Sequence, residues 1–181
     1  MSERWFISDT HFGHANILKF SRADGTPLRP NFNDIDHMDE VIIDRWNKTI
    51  APDDDVYHLG DLCFQGKIME RILPRLNGKK RLILGNHDRL DMGAYRKHFK
   101  RISSWRHFTD DGCALICTHF PLHESSFLGR YEGRCVNVHG HIHARVIPSK
   151  KYVNICVEQT DYTPVNYDVL RKHAMEAGRA D

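Results

Sequence analysis

Five strand-length apolar runs in this chain break off at residues that hold cations, protons or phosphates. WFIS runs into Asp9, Thr10 and His11; VYHLG into Asp61; RLILG into Asn86, His87 and Asp88; ALICT into His119; and CVNVHG into His141, Ile142 and His143. Short apolar runs bounded by polar residues predict buried strands, here over 4–8, 56–59, 81–84, 114–118, 134–138 and 152–157. Helical spacing separates the first three. Ile35, Met38, Val41, Ile42, Ile43 and Trp46 predict a helix over 34–49 behind the capping candidates Asn33 and Asp34. Ile68, Ile72, Leu73 and Leu76 carry a second helix that Pro74 must end or bend, and a third covers 167–177, stopped near Gly178. Strand–helix alternation through residue 85 predicts an α/β sheet with right-handed crossovers. Turns such as Asp110, Asp111 and Gly112, between 105–108 and 114–118, add antiparallel pairs and a mixed sheet in the later half.

Ligands of open α/β sheets bind outside the carboxyl ends of the strands, where the loops converge on one rim. Residues remote in sequence are therefore expected to meet there. The 181 residues suit a single domain over 1–181. The formal net charge of +2 is too small to attract nucleic acid or membrane by composition alone. No apolar run approaches the roughly 20 residues that span a bilayer, and the start MSERWFISD is charged and strand-like, so a cytoplasmic chain with no membrane partner is expected. Five cysteines without a CxxC pair predict reduced, buried thiols. Histidine is the unusual component: eight of 13 fall in tight groups at 11/14, 87, 119/123 and 139/141/143.

Asp9 and Asp61 packed together would repel and each would lose hydration, so their approach calls for a cation. Oxygen and imidazole donors without thiolate suit Mn, Fe, Zn, Co or Ni and disfavour Ca or an iron–sulfur cluster. Asp9, Asp61, Asn86, His11, His119, His141 and His143 exceed what one tetrahedral ion uses, and a carboxylate can bridge two ions about 3.5–4 Å apart. The Asp9/His11 and His141/His143 pairs are two residues apart, so both members point to one side of extended chain; the same parity admits His139. Gly60, Gly85 and Gly140 each precede a candidate ligand, as close backbone approach requires.

The ordered set of Asp9 with His11, Gly60–Asp61, the GNHD of Gly85 to Asp88, His119 after a strand, and the GHIH of Gly140 to His143 resembles the calcineurin-like metallophosphoesterase superfamily. Within it, SDTHFGHANI, YHLGD and GNHD are most similar to the small, single-domain bacterial and phage phosphohydrolases. The motifs span residues 6 to about 157. The resemblance implies a layered α/β/β/α sandwich with mixed β-sheets. It implies two divalent ions, Mn foremost, one held by Asp9, His11 and His143, the other by Asn86, His119 and His141, with Asp61 bridging. The resemblance further implies that hydroxide held by the ions would attack phosphorus in line, and that His87 would act as general acid or stabilise phosphoryl charge, imidazole being the side chain that ordinarily titrates near neutrality. One departure matters. Many relatives extend the second block to GDxxD and use the later acid to orient the catalytic histidine; here the run is Gly60, Asp61, Leu62, Cys63, Phe64. Asp88 is the substitute orienting group by adjacency to His87.

The remaining candidates are weaker. His14 and His123 follow ligand loops and are expected in supporting or substrate contacts. The 120–134 connection is long enough to be functional, and its Arg130 and Arg134 carry the donors that grip phosphate. His58, His98, His107 and His173 are expected to be structural or solvated, and Asp53, Asp54 and Asp55 to form a solvated turn away from the crevice. Lys79, Lys80, Arg81, Lys100 and Arg101 lack an aromatic platform for nucleic acid. The expected substrate is a small, nucleotide-like phosphate ester. A nuclease or end-processing phosphatase is the enzymatic alternative; a non-catalytic metal-binding interaction module is the alternative from another class.

Overall fold

Consecutive residues Phe6 and Ile7 are both fully buried, so their strand has to be covered on both faces. The computed structural model shows how. It describes residues 2–89, 91–110, 112–127 and 130–178, with the side chains of Arg130 and Glu132 outside that description. In chain order the elements are β1 (Arg4–Ile7), α1 (Ile35–Thr49), β2 (Asp55–His58), α2 (Gly66–Ile72), β3 (Lys79–Ile83), α3 (Met92–Arg96), β4 (Arg101–Ser103), β5 (Trp105–Asp110), β6 (Cys113–Thr118), β7 (Cys135–His139), β8 (Tyr152–Asn154), β9 (Val165–Asn166) and α4 (Tyr167–Ala177).

The strands form two mixed sheets. One has the order β4-β3-β2-β1-β9 and is parallel except for β9; the other has the order β5-β6-β7-β8 and is parallel except for β5. Alternation along the first sheet sends Ile7, Val56 and Leu82 outward against Met38, Ile42 and Trp46 of α1 and Met69 and Ile72 of α2. It sends Phe6, Tyr57 and Ile83 inward against Leu115, Cys117, Val136 and Val138 of the second sheet. Tyr167, Leu170 and Ala174 of α4 enter this same inter-sheet core, whereas Phe127 and Leu122 cover the outward-facing Ala114, Ile116 and Cys135. Among the described residues no helix is long and apolar enough to cross a membrane. All five cysteines are buried.

The helix predicted over 34–49 forms as α1, with the Asp34 carboxylate accepting from the His37 N–H at its start. Pro74 ends α2 in a 3-10 turn, Leu73–Arg75. Three expectations change. The antiparallel pairs of the later half reduce to β5–β6 and β1–β9, because the long connections after β6 and β7 bring the chain back parallel. Asp54 is not a solvated turn residue: it is buried and accepts from the N–H groups of Glu3 and Ala51 and from Trp5 Nε1. The segment predicted as strand over 152–157 leaves the second sheet after Asn154, and Cys156 bridges to Ser8 beyond β1. That crossing joins the two sheets where the ligand loops converge.

Candidate metal centre

The loops after β1 and β2 stay zipped beyond their strands. Asp9 N donates to Gly60 O (3.0 Å), His11 N to Asp61 O (3.1 Å) and Phe12 N to Leu62 O (2.8 Å). Beneath them Thr10 Oγ1 lies 3.0 Å from His58 Nε2, fixing the two strand ends to each other. Gly60 has φ +96°, and a Cβ there would stand 2.5 Å from Gly85 N and 2.7 Å from His119 Nδ1. A Cβ on Gly140 would collide with Ser8 Oγ and Asp9 Oδ2. These glycines let the five loops after β1, β2, β3, β6 and β7 close on one point. Asp9, His11, Asp61, His141 and His143 all occupy the left-handed backbone region, with φ of 57°, 53°, 55°, 70° and 51°. Such conformations are costly for residues with side chains and persist where surrounding contacts impose them, typically at functional sites.

Ligand atoms of Asp9, His11 and His143 lie within 4.8 Å of one another, and so do those of Asp61, His119 and His141. Each carboxylate uses one oxygen for the scaffold and aims the other at the cluster. Asp9 Oδ2 accepts from Ser8 Oγ (2.6 Å) and His141 N (2.9 Å), leaving Oδ1 buried without a partner. Asp61 Oδ1 accepts from His87 N (2.9 Å), while its Oδ2 stands 3.8 Å from His11 Nε2 and 3.4 Å from His119 Nε2, between the two groups. The imidazoles are oriented in the same manner. His119 Nδ1 donates to Leu59 O (2.8 Å) and His143 Nδ1 to Glu158 Oε1 (3.0 Å), which turns each Nε2 lone pair inward. Asn86 brings its Oδ1 to 2.9 Å from His119 Nε2.

The donor set fits divalent cations. Both nitrogens of buried His11 and Asp9 Oδ1 lack hydrogen-bond partners, and an inward lone pair on His119 meets an amide oxygen, a contact that a cation between them resolves. Ligands about 2.1 Å from a tetrahedral ion are about 3.4 Å apart, close to the spacing of these atoms before an ion draws them in. Burial alone would raise the carboxyls of Asp9 and Asp61, but the imidazoles that face them, His11, His119 and His143 for Asp9 and His119 for Asp61, hold both below the usual range. Burial would lower His119, yet Asp61 and Asp9 raise it; for His11 and His141 burial prevails and keeps them low.

Other predicted residues fall in different places. The His87 ring belongs to neither group and packs 4.7 Å from the ring of Phe64 and 6.0 Å from that of His11. Asp88 does not orient it. The Asp88 carboxylate accepts from Asp61 N (2.8 Å), Gly85 N (2.8 Å) and Leu62 N (3.1 Å), so it clamps the two ligand loops. Phe64, at the place of the later acid of GDxxD, is what packs edge-on against His87. His14 adjoins the cluster, its ring 5.4 Å from His11 and 4.3 Å from Phe64; burial, His11 and His87 lower it to about 4, leaving it neutral near pH 7. His123 is exposed and caps a 3-10 turn by accepting from Ser125 N. Arg134 precedes β7 and its carbonyl pairs with Ala114 N, at the far end of the strand from the cluster, roughly 16 Å away at 3.3 Å per residue. The side chain of Arg130 lies outside the described residues. His139 is buried, with Nδ1 donating to Gly140 O, and is in neither group. Cys63 is buried and its thiol is pushed up to about 12 by that burial, an unreactive state.

Sequence reading missed Arg29 and Glu158. Arg29 is 1% exposed; it donates to Asp9 O (2.7 Å), Thr10 O (3.0 Å) and Glu158 Oε1 (2.8 Å), and Glu158 in turn orients His143. Burial would raise the Glu158 carboxyl, but Arg29 and His143 hold it low. Glu158→Gln is expected to destabilise the metal-free protein by about 3 kcal/mol, since Arg29 then loses its buried counter-charge. Metal affinity should fall 10- to 100-fold as His143 loses its orienting acceptor. Urea titration of the chelated protein and a metal titration check the two separately.

A pH effect follows from His58, fully buried and lowered to about 3 by that burial. A depressed histidine contributes stability above its unfolded pKa of about 6.5 and loses it as pH falls toward the folded value. Metal-free protein should therefore lose about 3 kcal/mol from this group between pH 7 and pH 4, and His58→Gln should flatten that part of the urea-stability profile.

A family model described as calcineurin-like phosphoesterase matches residues 4–176. An uncharacterised protein of Methanocaldococcus jannaschii is 32% identical over 182 aligned positions, covering 95% of this chain and 91% of the relative. The gene 66 protein of Mycobacterium phage L5 is 27% identical over 179 positions, covering 83% and 82%. Among solved structures, a protein of unknown function from Aquifex aeolicus superposes with a TM-score of 0.72 at 27% identity, over 95% of this chain and 99% of that one.

Proposed function

Because this chain belongs to the calcineurin-like phosphoesterase family, we propose that it hydrolyses a phosphodiester or phosphomonoester of a small, nucleotide-like substrate at a two-ion centre. The position of Asp61 Oδ2 between His11 Nε2 and His119 Nε2 carries this reading, since one oxygen shared by two imidazole-containing groups suits a bridging ligand. Asp9, His11 and His143 would hold one ion, Asn86, His119 and His141 the other, with Mn the first choice and Fe, Zn, Ni or Co as alternatives. When bound, the ions supply Lewis-acid neutralisation of the phosphoryl oxygens and an activated water.

The protein's own groups set up the rest. His87 stands beside the cluster, outside both ligand groups, where its imidazole can deliver a proton to the leaving oxygen. Phe64 and His11 rings border it and limit its rotation. The Asp88 clamp and the Arg29 bonds to the Asp9 and Thr10 carbonyls hold the ligand loops before substrate arrives. Retention of His87 argues against a purely structural metal module. Hydrolysis of p-nitrophenyl mono- and diesters after Mn loading, and its loss on chelation, is the expected result; a metal-loaded protein inert toward both classes would overturn the reading.

A further inference from the structure

A groove of about 940 Å³ opens beside His143, is not lined by Asp61, His119 or His141, and beyond His143 itself holds no residue that the hydrolytic reading uses. Its walls carry Lys19, Arg22 and Arg145, its floor Leu28 and Ile142, and the exposed ring of Phe20 lies along it. Among the described residues none of the three cations pairs with a carboxylate. Asp24 also lines the groove and feels the Arg22 charge, but it makes no ion pair: its carboxylate accepts from the Thr26 N–H (3.0 Å) and hydroxyl (2.6 Å), so the three cations leave the groove net positive. The wall is built rather than loose: Arg22 N donates to Thr26 O, Leu28 N to Phe20 O, and Ser21 bridges Pro27. The next residue, Arg29, ties this hairpin to the Asp9 loop.

Unpaired cations beside an exposed aromatic ring are the elements that hold a single nucleic-acid strand, phosphate on the charges and base on the ring. The volume suits at least one nucleotide. We propose that the substrate is a single-stranded oligonucleotide-type phosphodiester whose neighbouring phosphate sits over Lys19, Arg22 and Arg145 and whose base stacks on Phe20, so that the scissile phosphate falls at the metal cluster. This rests on the phosphoesterase reading for the chemistry but not for the binding. The basic clusters at Lys79 and Arg81 play no such part, since they pair with Asp53 and Asp55.

The test compares wild type with K19E/R22E/R145E, using a fluorescein-labelled phosphorothioate tetrathymidylate whose linkages resist cleavage. Anisotropy should show wild-type binding with a log affinity falling about 0.7 per tenfold rise in salt, as one single-strand phosphate held by the three cations requires. The triple variant should bind about 100-fold more weakly, with a nearly flat salt dependence. Phe20→Ala should weaken binding about tenfold without changing the salt slope, one lost stacked base. Equal binding by wild type and the triple variant would overturn the groove assignment. Mn-dependent hydrolysis of bis(p-nitrophenyl) phosphate by wild type is run alongside: its absence counts against the phosphoesterase reading alone, and the binding comparison still decides the groove.

Discussion

His87→Ala is expected to lower kcat on alkyl phosphodiesters by about 10²- to 10⁴-fold while metal content stays unchanged. The separation follows from the geometry. The His87 backbone N–H, which alanine retains, donates to Asp61 Oδ1 and so helps to hold the candidate bridging carboxylate; the imidazole lies outside both ligand groups. Proton delivery matters most when the departing oxygen is strongly basic. The loss should therefore shrink sharply with p-nitrophenyl esters, whose leaving group departs without help. Equal losses for both leaving groups would instead place His87 as a stabiliser of phosphoryl charge, and no loss for either would remove it from the reaction.

Asp61→Asn should deplete both ions and abolish turnover. The substitution keeps an oxygen for the His87 N–H but removes the negative charge shared between His11 and His119. Loss of an outer partner already costs 10- to 100-fold in metal affinity, so loss of the shared ligand should exceed about 100-fold. The metal-free variant should be somewhat less stable than metal-free wild type above the acid range, because His119 holds the Asp61 carboxyl low against burial and the folded state therefore favours its charge. Thermal melts with and without Mn read this directly: Mn raises the wild-type midpoint and leaves that of the variant unmoved. A variant that still binds two ions would exclude Asp61 as the bridge.

The strand ends were legible because each buried strand is a short apolar run and each run stops at a residue too polar to continue it. Asp9, Asp61, Asn86, His119, His141 and His143 are brought together as that pattern predicts, along with the close approaches at Gly60 and Gly140. What stayed hidden depends on contacts with no local signature. Arg29 and Glu158 are 129 residues apart, and nothing in either neighbourhood announces a buried pair. Asp88 adjoins His87 in sequence, yet its carboxylate turns to three backbone N–H groups, because the loop N–H groups of Gly85, Asp61 and Leu62 face it. Arg134 lay in a connection between two ligand strands, but the parallel register of β6 and β7 puts the start of β7 at the end away from the cluster. The short elements α3, β4 and β9 have too few residues to show a period. Phe64 could have been found: its register in the GDxxD block marks the position and the ring, though not that the ring packs against His87.

The most direct test of the central claim is an anomalous-scattering crystal structure of the Mn-loaded protein. Two peaks per chain are expected, one among Asp9, His11 and His143, the other among Asn86, His119 and His141, with Asp61 Oδ2 between them. A single peak, or two peaks that share no contact with Asp61, would contradict it.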